Sequence, residues 1–505
     1  MATVNRREFI WSTGLGVLAA ALPGAKRAQS AAASNRPPNI FFAFADDWGW
    51  PHAGVYGDPT VRTPTFDKLG REGVLFEHAY LSSPSCTPAR GSILTGQHFW
   101  RLEEGANLWS TLDASFPVYP DLLEEAGYHV GHSRKGWAPG QLEPGGRERN
   151  PAGPGYPDFE QFLEERGEGQ PFCFWFGAHE PHRPYDADLR EEKDIDPADV
   201  ETPPMFPDAE AVREDIADYY AEVERFDREV GEKLALLDEM GELDNTIVVM
   251  TGDHGWPFPR GKGNLYDLGT RVPLAIHWPD GITGGRTVTD MTNLTDLAPT
   301  YLEAAGLDVP DAVTGRSLLP VLQAETEGRV DDARGAVFTG RERHVLAQED
   351  SAGGYPSRAV RTDEYLYIMN FEPDRWPAGT PNWEDAYYED AWLADCDNGP
   401  TKYYLWANRE RPDVKPLYEL SFGKRPSEEL YHLALDPYQV NNVAGESAYA
   451  AIRDQMRERL MDELTRTGDP RALNEGEKFD EYPYYGGAPT WPGQDTLDEY
   501  REEAR

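Results

Sequence analysis

The residues whose types and spacing suggest chemistry lie between positions 85 and 96, which read Ser-Cys-Thr-Pro-Ala-Arg-Gly-Ser-Ile-Leu-Thr-Gly. A helix that begins near Thr87 places Pro88 in its first turn, where the missing N–H is not needed. Cys86 then lies at the helix N-terminus, where free N–H groups and the helix dipole favour an anion. Arg90, one turn on, faces the same way and can hold an oxyanion through two N–H groups. The stretch predicts a nucleophile beside an anion site, although a buried cysteine near a structural arginine would read the same way.

Acidic residues and a histidine directly follow two apolar runs of strand length, 39–45 and 246–250. Such runs are typical of strands buried on both faces, and open α/β sheets place ligands at the carboxyl ends of these strands. Burial of several carboxylates without a cation is unfavourable, so the pattern predicts a divalent metal rather than an acidic turn. Oxygen ligands favour Ca²⁺, whereas the histidine leaves Mn²⁺ or Mg²⁺ open. The carboxylate ligands that this pattern predicts are Asp46, Asp47 and Asp253.

Histidines and lysines follow other strand-like runs. An apolar run at 172–178 leads into His179 and His182, which lie among prolines. A histidine at such a strand end can donate a proton or contact an anion. Lys135 follows a further short strand, and Lys262 lies in a loop rich in proline and glycine. A loop lysine on its own is most often a solvated surface charge, so the pattern alone does not assign a role to either lysine.

The segment at 85–96, with the paired aspartates at a strand end, resembles the signature of the type I sulfatases of the alkaline phosphatase superfamily. The resemblance implies that a formylglycine-generating enzyme converts Cys86 to formylglycine. The hydrate of this aldehyde carries two hydroxyl groups on one carbon. One hydroxyl would attack sulfur with the help of the metal, and the other would then expel the covalent sulfate and restore the aldehyde.

The same resemblance implies roles for the basic residues around position 86. Two lysines would contact the sulfate, an arginine would stabilise charge on the sulfuryl oxygens, and a histidine would protonate the leaving atom. The implied catalytic residues are Cys86, Arg90, Lys135, His179 and Lys262. The resemblance also implies that His254 and the side chain at position 86, Cys86, join the three aspartates as metal ligands. Two positions depart from the family pattern, because Trp137 stands where a histidine is usual and His254 where an asparagine is frequent.

Within the sulfatases, the chain most resembles the heparan N-sulfatases, in the stretches at 179–183, 257–266 and 314–320. This resemblance implies cleavage of the N–S bond of an N-sulfated glucosamine. The residues that we expect to contact the sugar are His182, Arg343, His344 and Arg358, with Arg341 and residues 374–376 as further candidates.

Three other functions fit the same residues. An O-sulfatase could remove sulfate from another polysaccharide with the same catalytic groups. A phosphodiesterase or phosphonate hydrolase of the same superfamily could also use them. A protein of a different class, a non-catalytic binder of sulfated glycans, would keep Cys86 unmodified.

Composition restricts both function and architecture. The 505 residues include 48 basic and 89 acidic ones, a net charge of −41, which argues against nucleic acid as a partner and requires local basic residues around any anionic substrate. Three cysteines exclude a disulfide scaffold. We expect an α/β fold with a large sulfatase-like mixed sheet sandwiched by helices at 34–330, a smaller α+β domain at 331–470 and an acidic tail at 471–505.

The first 33 residues read as an export signal. Arg6 and Arg7 precede an apolar stretch at 11–22, a pattern typical of twin-arginine signals, and the stretch is too short to span a bilayer. The pattern predicts export through the twin-arginine machinery, cleavage in the following alanine-rich region, and a periplasmic or extracellular protein without a stable membrane span.

Overall fold

The computed structural model describes residues 36–186, 188–349 and 351–502, so the twin-arginine segment lies outside the described residues. The strands are β1 Asn39–Ala45, β2 Val74–Phe76, β3 Ala79–Tyr80, β4 His129–Arg134, β5 Gly155–Tyr156, β6 Phe172–Gly177, β7 Thr246–Gly252, β8 Leu274–His277, β9 Arg286–Val288, β10 Thr292–Asn293, β11 Val337–Arg341, β12 Ser357–Arg361, β13 Tyr365–Asn370 and β14 Glu428–His432. The α-helices are α1 Pro64–Glu72, α2 Cys86–Thr95, α3 Tyr119–Glu125, α4 Phe159–Glu165, α5 Leu189–Glu192, α6 Glu210–Glu239, α7 Asp267–Thr270, α8 Leu297–Ala304, α9 Leu319–Leu322, α10 Pro400–Ala407, α11 Lys415–Phe422, α12 Ala450–Thr467, α13 Lys478–Glu481 and α14 Gln494–Asp498.

The central mixed sheet has eight strands in the order β5-β4-β6-β1-β7-β8-β2-β9. Its middle strand, β1, runs parallel to both β6 and β7. The register pairs Ala45 with Gly252 and Phe44 with Gly177, so the three strands end at the same edge of the sheet. This register is the reason that residues distant in sequence can form one site.

Side chains of β1 alternate between two buried cores, as the period of a strand requires. Phe41 and Ala43 pack into the core that includes the apolar side of the long helix α6. Phe42 and Phe44 pack into the opposite core, which includes side chains of α2, α3 and α8. Helices therefore cover both faces of the sheet, and the expected α/β sandwich is confirmed.

The C-terminal half contains a four-stranded antiparallel sheet in the order β11-β12-β13-β14. One face of this sheet packs on α12, where Leu460 and Leu464 meet Val360 and Tyr367. The segment between β13 and β14 contains α10 and α11. These helices pack into the core that contains α6 rather than against the antiparallel sheet. The two halves therefore share a core. None of the helices in the described parts of the chain is both long and apolar enough to cross a lipid bilayer.

Candidate active site

The helix α2 begins at Cys86, as the sequence predicts, with Ser85 in extended conformation as the N-cap residue. Every residue of α2 is buried. The hydroxyl of Ser85 does not cap the helix; its Oγ lies 2.9 Å from Nδ1 of His344. This contact ties the N-terminus of α2 to a residue of the C-terminal half. Cys86 is 2% exposed, and its side chain lies at the floor of a cavity.

Four of the expected metal ligands converge on one point. Their ligand atoms, from Asp46, Asp47, Cys86 and His254, all lie within 4.8 Å of one another. The backbone of Asp47 has φ of 77°, a conformation that a non-glycine residue rarely adopts. Its N–H donates to Oδ1 of Asp253 at 2.9 Å, which holds the turn in place.

The structure contains a direct test of whether this donor set fits a cation. Oδ1 of Asp47 is buried, lies 3.2 Å from Nε2 of His254 and receives no hydrogen bond from any described residue. Nδ1 of His254 donates to the carbonyl of Gly255 at 3.0 Å, so the ring is oriented with Nε2 facing the same point. Nε2 is also 3.2 Å from Sγ of Cys86. An unsatisfied carboxylate oxygen and an oriented imidazole are the donors that a divalent metal would use.

The charges around His254 favour a positive ion at this point. Burial would lower the pKa of His254, but the negative charges of Asp253, Cys86 and Asp47 raise it to about 10. The pKa of Asp46 is held well below its ordinary value: burial opposes ionisation, but the Lys135 ammonium, 2.5 Å from Oδ2, together with His182 and Arg90 outweighs it. Asp46 is thus kept ionised, whereas burial raises the pKa of Asp253.

Arg90 lies behind the cavity rather than in its wall. Its Nε and Nη2 each lie 3.0 Å from Oδ2 of Asp253, and Nη2 lies 3.4 Å from Oδ1 of Asp46. Its Nη1 donates to the carbonyls of Lys135 and Gly136 at 3.0 and 2.8 Å. The expected grip on a substrate oxyanion is therefore not present, because the guanidinium donors are used on protein oxygens. In this structure Arg90 orients the carboxylates and the loop that carries Lys135.

A cavity of about 860 Å³ opens above Cys86. Seven of the expected site residues line it: Asp46, Cys86, Lys135, His179, His182, Lys262 and His344. Nζ of Lys262 lies 3.1 Å from Oδ2 of Asp47 and is 4% exposed. The two lysines therefore place positive charge beside Cys86 in a protein of net charge −41, as an anionic substrate requires.

The two histidines that follow β6 occupy different positions in the wall. His179 is exposed, and burial of part of its ring together with Arg134 lowers its pKa. A lowered pKa makes the imidazolium a stronger acid toward a leaving atom. Nε2 of His182 lies 3.9 Å from Oδ2 of Asp47, and its Nδ1 lies 2.5 Å from the carbonyl of Arg183.

Arg343 and Arg358 do not line the cavity, which corrects the expectation that they contact the sugar. The Arg343 guanidinium donates to backbone carbonyls, among them those of Tyr482 and Pro483. Arg358 is 0% exposed and is bound by Glu342 and Asp469. Residues 341 and 374–376 also lie outside the cavity lining. Every donor nitrogen of Arg358 bonds a protein oxygen, and the terminal nitrogens of Arg343 are bound to backbone carbonyls, so neither guanidinium faces the cavity.

Sequence reasoning missed part of the cavity wall. Asp397 lines the cavity and accepts a hydrogen bond from Nζ of Lys262 at 3.0 Å. An apolar side of the wall is formed by Leu108, Trp109 and Val345, with residues 487–489 from the end of the chain. These residues lie in irregular segments without periodicity, so no sequence signal marked them.

Comparison with known proteins identifies the family of this site. The sulfatase family model matches residues 38–144 and 155–307, more than half of the chain. The chain belongs to the sulfatase family. A second family model, described as N-sulphoglucosamine sulphohydrolase, C-terminal, matches residues 252–376 of this sulfatase. Membership makes the protein an enzyme, and its mixed sheet and strand-end site agree with the family fold.

Individual relatives span most of this sulfatase. Human N-sulphoglucosamine sulphohydrolase is 28% identical, in a match that covers 86% of this chain and 91% of the human protein. An ulvan-active sulfatase of Formosa agariphila is 26% identical and covers 87% of this chain and 82% of its own. The solved phosphonate monoester hydrolase of Agrobacterium radiobacter superposes with a TM-score of 0.64 at 19% identity, over 85% of this chain and 96% of that one. This last similarity concerns the fold alone.

Proposed function

We propose that this sulfatase hydrolyses sulfate from a sulfated sugar, with the N-sulfate of a glucosamine unit as its preferred target. The observation that carries the proposal is the convergence of Asp46, Asp47, Cys86 and His254 at the floor of a cavity with two lysines in its wall. The match to the N-sulphoglucosamine sulphohydrolase C-terminal model and to the human enzyme of that name supports the choice of substrate.

In this proposal the residues act from fixed positions. Asp46, Asp47, Asp253 and His254 would hold a divalent metal, most simply Ca²⁺, which would supply Lewis-acid activation at position 86. Formylglycine at position 86 would supply a hydroxyl nucleophile. Lys135 and Lys262 bind the sulfuryl oxygens, and Arg90 keeps Asp46 and Asp253 in place.

His179 completes the chemistry as the proton donor to the leaving atom. Its exposed position in the cavity wall brings it to the side where a substrate enters. An amine is a poor leaving group unless it is protonated, so a strong acid at this point suits N–S cleavage. His182 is proposed as a second contact to the substrate.

A second candidate is an O-sulfatase that acts on another polysaccharide. It is favoured by the similarity to the ulvan-active sulfatase, which is nearly as great as that to the human enzyme. We further propose that a formylglycine-generating enzyme modifies Cys86 and that the twin-arginine segment directs export. The residue pattern at 85–96 supports the first proposal, and the twin arginines before an apolar stretch support the second.

The test measures hydrolysis by protein whose residue 86 has been verified by intact mass, as sulfate released from the two sugars and phenol released from the phosphonate. The substrates are N-sulfoglucosamine, glucosamine 6-O-sulfate and phenyl phosphonate monoester. We expect the highest kcat/KM on N-sulfoglucosamine. A higher value on the O-sulfate would favour the second candidate, and a higher value on the phosphonate would overturn both. Protein with unmodified Cys86 that binds but hydrolyses none of the three would be a binder.

A further inference from the structure

Asp397 is a carboxylate that faces the anion site from the C-terminal half. It lines the cavity, its side chain is 20% exposed, and its Oδ2 accepts from Nζ of Lys262 at 3.0 Å. His182 lies close enough for the three groups of Asp47, His182 and Asp397 to approach within 4.8 Å. In the described part of the chain, no group donates a hydrogen bond to the second oxygen of Asp397.

The loop that carries Asp397 is built rigidly. The buried ammonium of Lys402 donates to the carbonyls of Trp392, Leu393 and Cys396 at 3.0, 3.1 and 2.8 Å. Asp395 accepts from the N–H of Val345 at 3.0 Å and is paired with Arg341. A carboxylate at the tip of such a loop is held at one place in the cavity, as specific recognition requires.

The position of Asp397 is unfavourable for an anion alone. A carboxylate that lines the cavity next to Lys262 would repel a sulfate group bound there. Lys262 does not need Asp397 for neutralisation, because Oδ2 of Asp47 already accepts from it at 3.1 Å. The repulsion is offset when the substrate brings a hydrogen-bond donor next to its sulfate group.

We propose that Asp397 is a specificity-determining residue that accepts a hydrogen bond from an N–H or O–H group of the sugar adjacent to the sulfated atom. The inference rests on the proposed function and adds the feature of the substrate that is recognised. Amino sugars and sugars with a neighbouring hydroxyl present such a donor. Simple aryl sulfates do not, so Asp397 disfavours them.

The variant Asp397→Asn tests the contact. The amide oxygen still accepts from Lys262, whereas the NH₂ group replaces an acceptor with a donor that opposes the donor of the sugar. We expect the ratio of kcat/KM for N-sulfoglucosamine to that for 4-nitrophenyl sulfate to fall at least about tenfold. The matched control is Glu389→Gln, an exposed carboxylate in the same segment and outside the cavity lining, which should keep the ratio. An unchanged ratio in Asp397→Asn would overturn the inference, whether both activities fall together or neither falls.

Binding of unsulfated glucosamine, measured by isothermal titration calorimetry, tests the same contact without turnover. Asp397→Asn should weaken binding at least about fivefold, while its thermal melting temperature stays that of the wild type. An unchanged affinity would contradict the proposal. If wild-type protein hydrolyses neither sulfate, the proposed function fails, and this titration alone decides the role of Asp397.

Discussion

Two buried groups of charged residues in this protein differ in how completely their hydrogen bonds are satisfied. The first, the active-site cluster, comprises Asp46, Asp47, Asp253, His254, Arg90, Lys135 and Lys262. The second, the closed cluster, comprises Arg358, Glu342, Asp469 and Arg471. Both are withdrawn from water and both contain arginine–carboxylate pairs. Of the residues in these two clusters, those that line the cavity above Cys86 all belong to the first.

The closed cluster leaves no donor of Arg358 unused. Its Nε and Nη2 bond Asp469, its Nη2 also bonds Glu342, and its Nη1 donates to the carbonyls of Arg341 and Ser357. Arg471 donates to Oε2 of Glu342, so the two arginines neutralise the two carboxylates of the cluster. In the active-site cluster, by contrast, Oδ1 of Asp47 is buried without a partner among the described residues. Buried charge therefore indicates function here only where an unsatisfied atom and a cavity occur together.

The largest expected effect comes from Cys86→Ser, which breaks the active-site cluster at its centre. Serine lacks the second hydroxyl of the proposed formylglycine hydrate, so the proposed route that releases sulfate is lost. We expect sulfate release to fall at least about 10³-fold. Sulfate release by verified protein measures this, and circular dichroism checks that the fold is kept. Activity within about tenfold of wild type would disprove the role of position 86.

Replacement in the closed cluster should act on stability alone. Arg358→Met leaves Glu342 and Asp469 as buried charges with fewer partners, which should lower the free energy of unfolding by about 3–5 kcal/mol. Urea denaturation measures the loss. The control Arg228→Met removes an exposed pair with Glu232 and should change stability by less than about 1 kcal/mol. A fall in kcat of Arg358→Met without a loss of stability would contradict this prediction and would indicate that Arg358 acts in the active site.

A third arrangement, a buried carboxylate without a cation, sharpens the comparison. Asp227 accepts from the N–H groups of Thr65 and Phe66 at 3.0 and 2.8 Å, and burial raises its pKa from 3.8 to about 6. Its protonated form is favoured by folding, so this contribution to stability is complete below pH 3.8 and is lost as the pH rises through about 6. The loss amounts to about 2–3 kcal/mol.

Chemical denaturation between pH 4 and 7 measures this term, with Asp227→Asn as the reference because the amide does not titrate. Wild type should lose stability relative to the variant as the pH rises. If the free energy of unfolding changes with pH in the same way in both proteins, the prediction is wrong. The N–H groups of Thr65 and Phe66 would then fully offset the effect of burial on the pKa of Asp227.

The smallest expected effect is the stabilisation of the active-site cluster by metal. Ca²⁺ at about ten times its dissociation constant should raise the free energy of unfolding by about 1.4 kcal/mol. Differential scanning calorimetry with and without chelator measures it. Asp47→Asn should abolish the increase, whereas Glu389→Gln should retain it. An equal increase in Asp47→Asn would mean that the ion binds elsewhere.

The strand-end residues could be predicted because the register of parallel strands is implied by their apolar runs. Asp46, His179 and Asp253 each follow such a run, and β1, β6 and β7 are neighbours in the sheet. The start of α2 could be predicted from Pro88 and the small residues around it. Patterns within a few consecutive residues were sufficient to predict these strand ends and this helix start.

The arginines of the C-terminal half could not be assigned in the same way. The residue type reveals five donors but not whether buried partners consume them. Arg358 meets Asp469, 111 positions away, and no pattern within the sequence links the two. Asp397 was missed for the converse reason, since an irregular loop anchored by Lys402 carries it into the cavity.

The packing of the last residues over Cys86 has a consequence for biosynthesis. Cys86 belongs to a buried apolar cluster with Val345, Ala391 and Ala394, against which Tyr484 and Ala488 pack. These covering segments are synthesised hundreds of residues after Cys86. If the proposed conversion of Cys86 to formylglycine takes place, we expect the modifying enzyme to act before these segments have folded over the thiol.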